Sequence, residues 1–212
     1  MIHQLLEILN TKYQLEQIDI GEMKRLKANG MTFSIEAYKA KGLGHVSVMR
    51  AKGFFGLMKM DTFIINPYEV DLPLYSYDRI YAAGNDTLIV ELYDTLVGYY
   101  CEDKLHEVKG QYTNLAERDP GEHWYDNIKL ASSISKKGKK AQSSQFDALA
   151  LEHYKAYLAE ENIVENVVEK REKAAYYVNG LLRNGGPSTD VFKKSLGEKT
   201  TEKLFRNVLF GI

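Results

Sequence analysis

The chain has 212 residues, of which 44% are hydrophobic and 27% charged, and its net charge is −1. That length can bury a sizeable core as one domain over 1–212, and that balance reads as a globular chain with no global field to draw it to nucleic acid. A single cysteine, Cys101, excludes an internal disulfide framework and a Cys-based zinc or iron–sulfur centre, which fits a reducing compartment. No apolar run approaches the ~20 residues of a membrane helix. The N-terminal MIHQLLEILNTKYQ lacks a cleavable signal pattern. The expectation is a cytoplasmic protein with neither a membrane nor a nucleic-acid partner.

Leu5, Leu6, Ile8 and Leu9 predict a short N-terminal helix. From Met31 the period changes to two: Phe33, Ile35 and Ala37 alternate with Ser34, Glu36 and Tyr38, as on a half-buried strand. KGLG (41–44) is a turn signal, and HVSVMRA (45–51) and LMKMDTFIIN (57–66) read as the next strands. LPLYSYDRIYAAGN (72–85) is a further strand, which GND (84–86) turns into TLIVELYD (87–94) as a hairpin. Such a meander predicts an antiparallel sheet. The stretch 95–127 is ambiguous, with DPGEHWYDN (119–127) a loop by composition. IKLASSIS (128–135) is a possible last strand, followed by the basic run KKGKK (136–140).

The second half reads as helical. Ser144 and Asp147 resemble a capping box for a helix to Ala159. Ile163, Val164, Val167, Val168, Ala175 and Tyr176 form a stripe over 161–184, which NGGP (184–187) breaks. Ser188 and Thr201 are candidate caps of two last helices, the second with Leu204, Phe205, Val208 and Leu209 on one face. Strands first and helices later predict an α+β fold, a three-layer α/β/α sandwich with a central antiparallel sheet. The N-terminal helix would cover one face and the C-terminal helices the other, with a cleft between sheet and helices.

Among chemical candidates, Walker, GxGxxG, HExxH and GxSxG motifs are absent, and the five histidines lack metal-ligand spacing. Asp61 and Asp78 stand out as acids in the middle of apolar strands. Two carboxyls over one apolar face would push one proton affinity upward and make an acid usable near neutrality. The alternative is that each points to solvent or pairs with Arg50, Lys59 or Arg79. KKGKK either steers an acidic partner or is a solvated loop. Trp124 sits in a loop as a possible lid, and the tyrosine pairs 99–100 and 176–177 read as packing.

YEVDLPLYSYDRIYAAGNDTLIVELYDT (68–95) resembles the core of the ferredoxin-dependent bilin reductases. These carry a Leu-Pro-Leu-aromatic run, two more residues, an Asp and then a Gly-rich hairpin. Here the run is Leu72-Pro73-Leu74-Tyr75, with Asp78 in the Asp position. STDVFKKSLGEKTTEKLFRNVLFGI (188–212) resembles the family's ending, and PGEHWYDNIKLASSIS (120–135) more loosely its Trp-Gly-Glu loop. The resemblance marks this chain as a divergent member. It implies a linear tetrapyrrole held between sheet and C-terminal helices, and single electrons from ferredoxin or a similar acidic carrier. No tightly bound cofactor and no metal are implied.

By that resemblance Asp78 is the central proton donor. The family's catalytic His position falls, without gaps, on Asp61, and its donor Glu falls near Met49. Asn184 stands in for the first of two polar pigment contacts. Arg50 and Lys52 are candidates for the pigment's propionates, and Lys136, Lys137, Lys139 and Lys140 for docking the electron carrier. The altered donor set leaves two alternatives beside a bilin reductase: a non-catalytic tetrapyrrole binder, or a reductase of a non-bilin substrate.

Overall fold

In a computed structural model, described over residues 1–160 and 162–212, alternation along the strands builds the central layer. Its strands are β1 (Leu15–Ile18), β2 (Arg25–Ala28), β3 (Met31–Ala40), β4 (Gly44–Gly53), β5 (Met58–Pro67), β6 (Leu74–Ala82), β7 (Asn85–Tyr93) and β8 (Ile134–Lys139). They form one eight-stranded antiparallel sheet in the order β1-β3-β4-β5-β6-β7-β8, with β2 also paired to β3. The meander from β3 to β7 agrees with the alternation. The β6–β7 turn falls one residue before GND, on Ala83 and Gly84, both at positive φ, which suits a two-residue hairpin.

Phe63, Ile65, Tyr75, Tyr77, Leu88 and Val90 point to one face. There they pack against α1 (Ile2–Lys12), α2 (Asp103–Gln111) and α3 (Ser143–Ala159). Tyr75 lies against Tyr157 with ring centroids 4.8 Å apart, so this side is filled. The opposite face carries Phe33, Met49 and Ile64 under α4 (Val167–Asn184), α5 (Pro187–Leu196), α6 (Glu198–Lys203) and a terminal π-helix, Leu204–Phe210. The three-layer sandwich is as expected. One helix is not: α3 joins α1 rather than the C-terminal helices.

Other local expectations shift for identifiable reasons. The helix expected over 161–184 begins at Val167, where the Asn166 side chain accepts from Glu169 N at 3.1 Å. Ile163 and Val168 are exposed, and Lys170, Ala174, Tyr177, Val178 and Leu181 form the buried stripe instead. Neither Ser188 nor Thr201 caps a helix. Gly186 precedes α5, and Thr201 lies buried inside α6, donating to Gly197 O at 2.8 Å. No described helix is long and apolar enough to cross a membrane.

The π-helix is held by the sheet. His45 Nε2 meets Val208 O at 2.8 Å, Ser47 Oγ donates to Leu209 O at 2.8 Å, and Asn66 Nδ2 donates to Phe210 O at 2.7 Å. These bonds satisfy carbonyls that a helix end leaves without partners. They also fix Phe205, Leu209 and Phe210 as part of the roof of a cavity.

Candidate active site

A cavity of about 360 Å³ lies between the sheet and the C-terminal helices. Its floor comes from one face of β3 to β7, and Tyr177, Leu181 and Phe192 help to close it from above. Four of the six methionines, Met31, Met49, Met58 and Met60, line it. A thioether floor adapts to the outline of a flat apolar ligand and meets its π face with a polarisable sulfur.

Asp78 is on that floor. In the sheet register Met49, Thr62, Asp78 and Ile89 form one row across four strands. Thr62 Oγ1 donates to Asp78 Oδ1 at 2.5 Å. Burial nevertheless raises the Asp78 pKa from 3.8 to about 6; the Thr62 bond works against the rise and the negative charge of Glu91 adds to it. No cation pairs with Asp78 among the described residues. Of the two roles open to this acid, the structure gives it the cavity.

Asp61 does not share that cavity. It alternates with Thr62 and stands with Phe63 and Ile65 on the α3 side of the sheet, between Arg50 and Arg79 in the register. The expected pair of Asp61 with Asp78 is therefore not formed. The residue beside Asp78 on β5 is Thr62, one position along, and a one-residue offset moves a strand side chain to the other face.

The second carboxyl of the cavity is Glu91, which lies cross-strand from Ser76 and so diagonal to Asp78. Tyr93 Oη donates to Glu91 Oε2 at 2.6 Å. Lys129 Nζ stands 3.8 Å from Glu91 but is held by Asp126 at 2.6 Å. Arg118 and His123 are at the cavity wall as well, the imidazole stacked on Tyr125 with centroids 4.8 Å apart. Glu91 was legible in principle: the hairpin register and the alternation of Ile89, Glu91 and Tyr93 put it on the Asp78 face. Arg118 and His123 arrive on a connection whose course no local pattern reveals.

The other candidates lie elsewhere. Arg50 donates to Glu36 Oε1 at 2.6 Å on the Asp61 face, and exposed Lys52 shares that face. Neither reaches the cavity. Asn184 ends α4 exposed and outside the lining, which takes Gly186 from the turn that follows and Ser188 and Thr189 from the start of α5. KKGKK is mostly strand β8 at the sheet edge, not a loop. Lys136 is buried, bonded to Leu115 O at 3.0 Å and Glu117 at 2.6 Å, whereas Lys137, Lys139 and Lys140 are exposed. Trp124 is no free lid: its Nε1 donates to Gly185 O at 3.1 Å and its ring lies over Gly180. Tyr177, expected as packing, packs against Tyr93 and lines the cavity too.

Among the described residues no cluster of three or more His, Cys, Asp or Glu side chains is arranged to hold a metal ion. What the site offers is a carboxyl titrating near neutrality, a second carboxyl beside it, and a guanidinium, within an apolar and aromatic enclosure.

No family model matches the sequence, and no curated protein matches it. The fold does have solved counterparts. The crystal structure of phytochromobilin synthase from tomato, in complex with biliverdin, superposes with a TM-score of 0.80 at 17% identity, covering 99% of this chain and 81% of that one. The chain thus has the three-layer fold of that protein, the fold its resemblance to the bilin reductases implies.

Proposed function

We propose that the protein is a divergent bilin reductase. In this reading it binds a linear tetrapyrrole in the cavity and reduces it with single electrons from ferredoxin or a similar acidic carrier. The observation that carries the reading is Asp78, a buried carboxyl with its pKa near 6, facing a cavity in a fold that in the tomato protein accompanies biliverdin. Protonating the bound pigment places positive charge on the conjugated system and makes it a better electron acceptor. A carboxyl whose pKa is raised to about 6 is suited to that transfer.

The methionine floor and the tyrosine cluster would sandwich the pigment and exclude water. Arg118 replaces Arg50 and Lys52 as the partner proposed for a pigment carboxylate, since it lines the cavity and makes no ion pair among the described residues. Lys137 and Lys139 stand opposite Thr87 and Asn85, on the cavity side of the edge strand. With Lys140 they form the patch proposed to meet the electron carrier, without Lys136.

The test is anaerobic incubation with biliverdin, ferredoxin and a reducing system. Wild type is expected to shift the pigment spectrum on binding and to convert it. Asp78→Asn should still bind but turn over at least ~10²-fold more slowly, the usual worth of a positioned acid. Protein that neither shifts the spectrum nor gains stability with biliverdin would end every tetrapyrrole reading. A non-catalytic binder is the second reading, favoured by the row Met49-Thr62-Asp78-Ile89, which holds only one carboxyl. Stoichiometric binding without conversion would establish it.

A further inference from the structure

Reducing one double bond of a conjugated pigment consumes two electrons and two protons. Asp78 can supply one proton. The row in which it lies contains no other acid, so a second must come from a neighbouring row or from solvent.

Among the described residues the cavity lining has one other carboxyl, Glu91. The remaining titratable groups are poorer sources. Tyr93, Tyr125 and Tyr177 have their pKa values raised by burial, and Arg118 keeps its proton. His123 stacks flat on Tyr125 at the wall, and its buried Nδ1 has no hydrogen-bond partner among the described residues to aim it. Glu91 sits one strand from Asp78, is aimed by the Tyr93 hydroxyl, and keeps 16% of its side chain exposed, so that water can return a proton to it.

We propose that Glu91 is a catalytic residue that delivers the second proton of the reduction. The proposal rests on the reductase reading. Asp78 passes its carboxyl proton to the bound pigment, and one electron from an iron–sulfur carrier makes a neutral radical. A second electron makes a pigment anion. Glu91 then gives its carboxyl proton to that anion, closing a new C–H bond and leaving a carboxylate that water re-protonates. Both electrons come from the carrier and both protons from the two carboxyls.

The groups around Glu91 come from several elements: Asp78 on β6, Tyr93 on its own strand, Tyr125 and Arg118 on the cavity wall and Tyr177 on α4, with Lys129 Nζ 3.8 Å away.

The experiment compares wild type, Glu91→Gln and Asp78→Asn with biliverdin, adding electrons stepwise from reduced ferredoxin without oxygen. Glu91→Gln is expected to bind with the wild-type spectrum, take up the first electron and accumulate an organic radical seen by electron paramagnetic resonance. Its product should form at least ~10²-fold more slowly. Asp78→Asn should be blocked earlier, with no protonated pigment. Product at the wild-type rate from Glu91→Gln, with no accumulating radical, overturns the role of Glu91 and leaves the reductase reading standing. Wild type that fails to reduce the pigment removes both. Should Glu91→Gln lose binding, infrared difference spectra of wild type decide. Loss of a carboxylic C=O band at each electron supports the proposal, and a single loss overturns it.

Discussion

At the scale of the residue, Asp78 is where folding and chemistry conflict. An isolated carboxylate is costly in an apolar site, so the folded protein prefers Asp78 protonated. Its folded pKa, about 6, lies above the ordinary 3.8, so the folded state binds the extra proton. The stabilisation is complete below about pH 4 and is lost as pH rises through about 6. Asp78→Asn keeps an acceptor for Thr62 without the charge. It is expected to be more stable than wild type at pH 8 by about 1–3 kcal/mol, since each tenfold change in proton affinity is worth about 1.4 kcal/mol. At pH 4 no gain is expected. Urea unfolding at the two pH values checks this, and equal gains at both would refute the burial account. Alternation already placed Asp78 mid-strand, and the β6–β7 hairpin register put Glu91 on its face. Alternation could not say that Asp61 falls on the other face, because that depends on the β5–β6 register, which pairs Thr62 and not Asp61 with Asp78.

At the scale of the element, α4 shows how a loop and a helix fix each other. The Trp124 ring occupies the space over Gly180, where a Cβ would come within 2.0 Å of Cη2. Gly180 therefore serves close approach rather than flexibility. Gly180→Ala is expected to cost about 1–3 kcal/mol, as overpacking does. It should also shift the fluorescence of Trp124, the only tryptophan. An unchanged emission spectrum and unfolding midpoint would count against this packing. The stripe on α4 explains why the helix starts later than its apolar residues suggest. Val167 and Val168 have the composition of core but are exposed, while Lys170 is fully buried, because a tertiary partner outweighs side-chain hydrophobicity. The lysines of β8 follow the same logic in reverse: a basic run looks like a loop, yet lysine is also a usual guard on an edge strand.

At the scale of the whole molecule, one buried ion pair ties the cavity roof to the sheet. Lys170 Nζ lies 3.1 Å from Asp71 Oδ1 and 2.5 Å from Leu72 O, while Asp71 accepts from Val97 N at 3.1 Å and Gly98 N at 2.7 Å. The lock thus joins α4 to the entry of LPLY and to the chain leaving β7. Lys170→Met strands Asp71 in the interior and should cost about 3–5 kcal/mol. Adding Asp71→Asn should restore part of that, and denaturant midpoints of the single and double variants measure it. A midpoint equal to wild type for Lys170→Met would show that the pair is dispensable. By itself the sequence determined the strand meander, the helical second half, the three layers and the mid-strand position of Asp78. Those follow from periodicity and turn chemistry, which act over a few neighbouring residues. Only the tertiary structure decided that Asp61 faces away, that α3 packs beside α1, that Lys136 is buried, and that Arg118 and His123 reach the cavity. Each depends on which surfaces meet across long sequence separations, and that is set by packing the layers together rather than by any local pattern.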